Sequence, residues 1–314
     1  MKLQQLRYLV EVERQGLNLS VAAGKLHTSQ PGISKQIKLL EDELGVDIFV
    51  RNGKRVTAVT PPGKAIIEIA RRILHETDNL KQAAQDYADE DSGKLIIATT
   101  HTQARYVLPD IVQRFSQRYP KVKLGLVQGN PIQVCQYALA GQADFCIATE
   151  AIGTFEELVM LPCYAWNRCV IAPPDHPILK NKSLTLETIA NYPIITYDFA
   201  FTGRSQINHA FETRGLKPNV VLTAIDSDII KTYVALGLGI GILAHMAFDA
   251  ARDTSLRAVD ASHLFESSTT HIGVPRNAYL RGYVYDFIEM FAAHLSRKVV
   301  DGAVHNKARI DYDL

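Results

Sequence analysis

No apolar run approaching the roughly 18 residues of a membrane-spanning helix interrupts this sequence. Its opening, MKLQQLRYLVEVERQG, carries Arg7, Glu11, Glu13 and Arg14 where an export signal requires an uncharged stretch. The expected location is cytoplasmic, without a membrane partner. Cysteine is scarce: Cys135, Cys146, Cys163 and Cys169 lie 11, 17 and 6 positions apart, with no CxxC pair and no His/Cys cluster beside them. That spacing argues against a disulfide framework and a zinc site, and no metal or cofactor is expected. An excess of one charge is also lacking, because 34 Lys and Arg face 33 Asp and Glu. Whole-chain charge therefore identifies no partner.

What is present is the composition of a folded protein, 47% hydrophobic and 21% charged, over 314 residues. Single cores seldom grow past roughly 250 residues, so two or three domains are expected. Charge is unevenly spread among them. Residues 1–75 hold twelve basic groups against seven acidic ones, whereas residues 76–93 hold six acidic groups and only Lys81. A local positive patch attracts phosphates even when the whole chain is near neutral, although a solvated surface with chance clustering gives the same count.

The basic quarter reads as a winged helix-turn-helix over residues 1–60. Leu3, Leu6, Leu9 and Val10 fall near helical spacing, and Asn18 or Ser20 can cap a second helix with Val21, Ala22 and Leu26 facing inward. After a break at His27 and Thr28, Ser29 caps a third helix, with Gln30 and Pro31 in its first turn and Ile33, Ile37 and Leu40 on its buried face. Thr28, Ser29, Gln30, Pro31, Ser34, Lys35 and Lys38 are then the candidates for base and phosphate contact. Two β-prone runs around Asn52-Gly53 form a candidate wing, with Arg51, Lys54 and Arg55 placed to meet the DNA backbone. An ordinary helical bundle with a solvated hairpin fits the same pattern.

Residues 61–88 read as a linker helix. Thr60 caps it, and Ile66, Ile73, Leu80 and Tyr87 recur every seven residues. Its span of roughly 40 Å is too long for one small domain to cover, so Ile66, Ile73 and Leu80 are candidate dimerisation residues. Residues 89–93 are the expected hinge. Beyond it, short apolar runs alternate with helical stretches, the grammar of a mainly parallel α/β sheet. Two lobes result, 94–162 with 266–314 and 163–265, joined by crossings near 162 and 266. Thr99, Thr100, His101, Thr102, Gln103, Thr149, Glu150 and the segment Phe201, Thr202, Gly203, Arg204 fall at strand ends facing one inter-lobe crevice, suited to a small anion or an acylated amino acid. Helix capping by the same Thr and Gln residues is the simpler explanation.

An enzyme is a poor reading. GLGIG at 237–241 follows a helix and leads into a strand, the reverse of the dinucleotide fingerprint, and no triad or metal set surrounds Glu150, Glu156, Glu157 or His101. A cytoplasmic small-ligand-binding protein without promoter-specific activity remains the alternative from another class.

The stretch HTSQPGISKQIKLLEDELGVDIFVRNGKRVTAVTPPGK resembles the DNA-binding segment of LysR-type transcriptional regulators. IATTHTQARYVLP, ADFCIATE, LVMLPCYAWNR, FTGRS, DIIKTYVALGLGIG and HLFESSTTHIG resemble the cysteine-regulon branch of that family, so the likeness covers nearly the whole chain. It implies a fold with a two-lobed effector domain like that of periplasmic binding proteins. It further implies a DNA-binding regulator of sulfur assimilation and cysteine biosynthesis genes, acting on promoter double-stranded DNA as a homotetramer, a dimer of dimers, with RNA polymerase a further candidate partner. The implied effector is N-acetylserine or O-acetylserine, with sulfate or thiosulfate competing. The matching positions are Thr100, Thr102, Gln103, Thr149 and Thr202, with Trp166 and Arg204 adjoining them. A regulator answering to another small anion or metabolite is the alternative within the family.

Overall fold

The computed structural model describes residues 1–53, 55–88, 91–149, 155–180, 183–198 and 203–305. The chain divides into two compact units, Met1–Tyr87 and Ala88–Leu314.

The first unit begins with three helices, α1 (Leu3–Arg14), α2 (Leu19–Lys25) and α3 (Gln30–Leu44). Asn18 caps α2 by accepting from the N–H groups of Ser20 and Val21, and Ser29 caps α3 by accepting from Gly32 N–H at 3.2 Å. Between these helices His27 takes the left-handed φ of +50° that ends α2. Ile33, Ile37 and Leu40 point from α3 into a core with Leu9, Val12 and Ala22, and burying each large side chain contributes about 2 kcal/mol. Val21, expected inward, is exposed; Leu19, Ala22 and Ala23 carry the buried face of α2 instead. The hairpin β1 (Phe49–Asn52) and β2 (Arg55–Val59) pairs Asn52 with Arg55, so Gly53, with φ of +60°, falls in the turn while Asn52 ends the strand.

Helix α4 runs from Pro61 to Ala88, about 42 Å at 1.5 Å per residue. Thr60 Oγ accepts from Gly63 N–H at 2.9 Å and donates back to the Asp47 carbonyl at 2.7 Å, tying the helix start to the hairpin.

In the second unit, lobe I has a five-stranded sheet ordered β4-β3-β5-β12-β6, from β3 (Ser92–Thr99), β4 (Lys121–Gln128), β5 (Phe145–Thr149), β6 (Leu158–Trp166) and β12 (Ser268–Pro275). The first three run parallel; β12 is antiparallel to both its neighbours. Lobe II has the order β11-β7-β10-β8-β9, from β7 (Arg168–Ala172), β8 (Ile194–Tyr197), β9 (Val220–Ala224), β10 (Ile240–Ala244) and β11 (Arg257–Asp260). The chain first leaves lobe I at Asn167, not near 162, because Cys163–Trp166 continue an edge strand. An edge strand tolerates the N–H that Pro162 lacks, with a register irregularity opposite Thr270 and His271. Ser92 and Gly93, expected in the hinge, already pair with Lys121 and Val122; Asp89 and Glu90 lie outside the described residues.

Helices α5 (Leu108–Arg118), α6 (Pro131–Leu139) and α9 (Ser227–Ala235) follow β3, β4 and β9, while α7 (Leu186–Ala190) and α8 (Gly203–Thr213) flank β8. A π-helical turn, Gln103–Val107, precedes α5, where Pro109 lacks the N–H that a regular turn would use. After β12 come α10 (Gly282–Phe291) and a further helix, α11 (Arg297–His305), packed against it. Within GLGIG, a Cβ on Gly239 would stand 2.3 Å from the Pro193 carbonyl oxygen, so close backbone approach explains that glycine. All four cysteines are buried, and burial pushes the Cys163 and Cys169 thiols up to about 12.

Candidate functional site

Two sites are built, one in each unit. In the first, Ser29, Pro31 and Lys35 are exposed along the opening of α3, and Thr28, Gln30 and Ser34 are half-buried beside them. Side chains on the N-terminal half of such a helix are those that reach base edges when it enters a major groove. Lys38 is exposed but shared between Asp42 at 3.3 Å and Asp47 at 3.5 Å; hydrogen bonding to Asp42 foremost holds its ammonium above the usual range. Arg55 is exposed on β2, and Lys54 lies outside the described residues.

Arg51 departs from its expected role. Its guanidinium donates to Glu41 Oε2 at 3.0 Å and to Ser34 Oγ at 3.4 Å, so it joins the wing to the helix instead of extending freely from the hairpin tip. Glu41 is buried and also accepts from the N–H groups of Ile48 and Phe49 at 3.0 and 3.1 Å.

On α4, Ile67 and Ala70 are buried against the first unit's core, and Ile66 and Ile73 pack partly against it. Leu80 is 69% exposed. The seven-residue stripe therefore splits: its first half is occupied within the chain and Leu80 is left open.

In the second unit, Thr100, His101, Thr102, Gln103, Thr149 and Trp166 of lobe I meet Tyr197, Ile225 and Ala244 of lobe II around a cleft of about 50 Å³. Helix N–H groups open toward it because β3 ends at Thr99 and the helical backbone starts at His101. Thr202 lies outside the described residues, and of Arg204 only the backbone, in α8, is described. A larger hollow of about 440 Å³ is lined mainly by lobe II, including Thr185, Gln206, Arg214 and His263, and contains none of the expected residues. The smaller cleft is the candidate ligand site, because both lobes and five of the seven expected residues border it.

Behind the cleft runs a chain of hydrogen bonds. Tyr164 donates to Gln103 Oε1 at 2.5 Å, Gln103 Nε2 donates to Thr270 Oγ at 3.2 Å, Thr270 and Thr149 hydroxyls lie 3.3 Å apart, and Trp166 Nε1 donates to Thr149 Oγ at 3.3 Å. Gln103 is buried with both amide atoms engaged, so its side chain supports the cleft from behind. Burial pushes the Tyr164 hydroxyl up to about 12, keeping it a donor at neutral pH. Across the cleft Tyr197, whose hydroxyl is also raised by burial, contacts Ser227 Oγ at 2.7 Å and accepts from Ala244 N–H.

Sequence matches follow the two units. The lysR-family bacterial regulatory helix-turn-helix matches residues 3–64, and the LysR substrate binding domain matches residues 88–296. The chain belongs to the LysR family of transcriptional regulators. It is 54% identical over 302 residues to the HTH-type transcriptional regulator SsuR of Burkholderia cenocepacia, covering 96% of this chain and 98% of that one. It is 51% identical over 314 residues to the regulator CysB of the same organism, covering all of both chains. The solved cofactor-binding domain of the Cbl transcriptional regulator is 43% identical, with a TM-score of 0.66 over 68% of this chain and 93% of that one. These relatives are transcription regulators and not enzymes. Among the described residues, no helix of this LysR regulator is long and apolar enough to cross a membrane.

Two groups of residues in the regulator escaped sequence reasoning. Arg168 is fully buried at the first crossing, donating to the Glu266 carbonyl and to Ser268 Oγ, each at 2.9 Å, with its guanidinium 5.1 Å from the Trp166 ring. Asp228, on α9 of lobe II, accepts from Tyr106 of lobe I at 2.6 Å and pairs with Arg105 and Lys231 at 3.3 Å. Burial raises the Asp228 carboxyl, but Tyr106, Lys231 and Arg105 outweigh it and hold the group below the usual range. Arg168 gave no local signal, since the acceptors of its guanidinium lie 98 and 100 residues away. Asp228 gave none, since its lobe I partners Arg105 and Tyr106 are more than 120 residues away.

Proposed function

We propose that this LysR regulator binds promoters of sulfur-assimilation and cysteine-biosynthesis genes in the cytoplasm and responds to a small oxyanion or acetylserine held between its lobes. The observation that carries the reading is the convergence of Thr100, Thr102, Thr149 and Trp166, with Gln103 behind them, on one inter-lobe cleft. Thr100, Thr102, Gln103 and Thr149 are among the positions at which the cysteine-regulon branch is matched, and Trp166 adjoins them. Hydroxyls and helix N–H groups suit sulfate, thiosulfate or the carboxylate of N-acetylserine or O-acetylserine better than a hydrophobic effector. Thr202 and Arg204 complete the proposed ligand set.

DNA contact is assigned to Thr28, Ser29, Gln30, Pro31, Ser34 and Lys35, with Lys38, Lys54 and Arg55 on phosphates. Leu80 and the far half of α4 supply the dimer seam, with a dimer of dimers as the assembly and RNA polymerase as a partner at activated promoters. Effector binding then favours one arrangement of the lobes, and unequal affinity for the arrangements is what couples it to the paired recognition helices.

A gel shift with fragments upstream of sulfur-assimilation genes, run with and without each metabolite, tests the reading. Preference for those fragments over random DNA at moderate salt is expected, with metabolite-dependent mobility or affinity. No preference overturns the promoter assignment. Thr102→Ala should weaken sulfate or acetylserine by about 1.5 to 3 kcal/mol, one to two decades in affinity, and unchanged affinity removes Thr102 from the site.

A further inference from the structure

We infer that His101 is a two-sided contact that joins the bound effector to the clasp between the lobes; the inference rests on the effector reading above. His101 borders the cleft, and its Nδ1 is buried without a hydrogen-bond partner. Buried polar atoms are nearly always satisfied, so a buried nitrogen left open at a cleft wall marks a position whose partner comes with the occupant. The other nitrogen, Nε2, stands 4.0 Å from Asp228 Oδ2. Asp228 is the residue on which the clasp converges, since Tyr106 and Arg105 reach it from lobe I.

The two nitrogens belong to one ring, so their partners are linked. An oxyanion effector accepts a hydrogen bond from Nδ1. Asp228 accepts one from Nε2 once the gap closes by about 1 Å to hydrogen-bond distance. An imidazole donating from both nitrogens is the imidazolium, and its second proton comes from bulk water. Effector binding therefore takes up a proton, and the new positive charge adds a third lobe I contact to Asp228. The effector class this selects is a dianion or carboxylate; a neutral acylated amine gives Nδ1 no charged acceptor.

The charged and titratable groups around His101 are few. Arg105 and Tyr106 lie on its own helical segment, and Asp228 and Lys231 face it from α9, with Asp253 behind Lys231. His245, on the short turn packed against residues 103–107, neighbours Asp260. Lys231 is held by Asp228 and Asp253 in both states, which leaves His101 as the group positioned to change charge with the ligand.

The test is calorimetric titration of the full chain with sulfate, thiosulfate and N-acetylserine between about pH 6 and pH 8, where these anions stay ionised and an imidazole ordinarily changes charge. Wild-type affinity should fall as pH rises, by up to about tenfold per unit for one linked proton. His101→Asn keeps a single donor and no second nitrogen; it should lose at least about tenfold at pH 6 and show a flat profile. Asp228→Asn removes the charged acceptor for Nε2, so it should flatten the pH slope and weaken binding several-fold, and circular dichroism checks that each variant is folded. Arg105→Gln loosens the clasp without touching His101 and should keep the slope. A slope unchanged in His101→Asn overturns the inference alone, and full affinity in Asp228→Asn overturns its link to the clasp. If no anion of the three binds wild type, the effector reading falls and the inference falls with it.

Discussion

Glu41 of the recognition helix and Arg51 of the wing form a 3.0 Å ion pair in which the carboxylate is buried and the guanidinium is partly exposed. The same carboxylate takes the N–H groups of Ile48 and Phe49, so one side chain fixes both the start of the wing and its angle to α3. Glu41→Ala leaves those donors and Arg51 without their acceptor, and we expect a loss of about 3 kcal/mol from the first unit. Hydrogen exchange of the α3 amides reads this locally. Arg51→Gln should weaken DNA binding through misplacement of the wing, with little change in salt slope; a slope reduced by about one unit would instead make Arg51 a phosphate contact.

The wing pair also shows which parts of the fold were legible in the sequence. Helix caps at Asn18, Ser29 and Thr60 act through neighbours two or three residues away, so the chain spells them out locally. The core face Ile33, Ile37, Leu40 is periodic and was equally plain. Glu41 and Arg51, ten positions apart on different elements, look like ordinary surface charges until a tertiary contact pairs them. Strand β6 runs past the expected crossing near 162 because its extent is set by pairing with β12, an element far ahead in the chain. In the cleft, the threonines stood out by clustering after β3, whereas Asp228 meets Tyr106, and Tyr164 meets Gln103, across 61 or more residues of chain.

Tyr164→Phe tests whether the hydrogen-bond chain behind the cleft positions Gln103. Removing the hydroxyl leaves Gln103 Oε1 without its 2.5 Å donor in a buried site, a cost of about 1 to 3 kcal/mol. Thermal unfolding should fall accordingly. Effector affinity, by calorimetry, should drop by less than in Thr102→Ala, because Tyr164 acts through Gln103 and Thr270. A drop equal to that of Thr102→Ala would mean that Tyr164 itself meets the ligand.

Stability should decline on mild acidification. Burial lowers the imidazoles of His176 and His271 below their usual range, so both stay neutral in the folded chain to lower pH than in the unfolded one. An unfolded histidine takes up its proton near pH 6.5, as the folded ones do not, so the unfolded state binds more protons in that window. Their contribution is complete above about pH 6.5 and is lost as pH falls toward the folded values. Urea midpoints measured between about pH 7.5 and pH 5.5 should show this decline, and His176→Gln with His271→Gln should flatten part of it. A profile identical to wild type in the double variant would assign the decline to other groups.

The split stripe on α4 separates folding from assembly. Ile73 packs partly against the first unit's core, so Ile73→Asp should lower thermal stability and association together. Leu80, 69% exposed, is not packed on that core among the described residues. Leu80→Asp places a charge only where a second copy of α4 would lie, and desolvating it there is unfavourable, so association should weaken at least tenfold while unfolding of the chain shifts little. Light scattering over a dilution series, set beside thermal unfolding at a concentration where the wild type is dissociated, distinguishes the two effects. Unchanged association in Leu80→Asp, with a stable fold, would place the dimer seam away from this end of the helix.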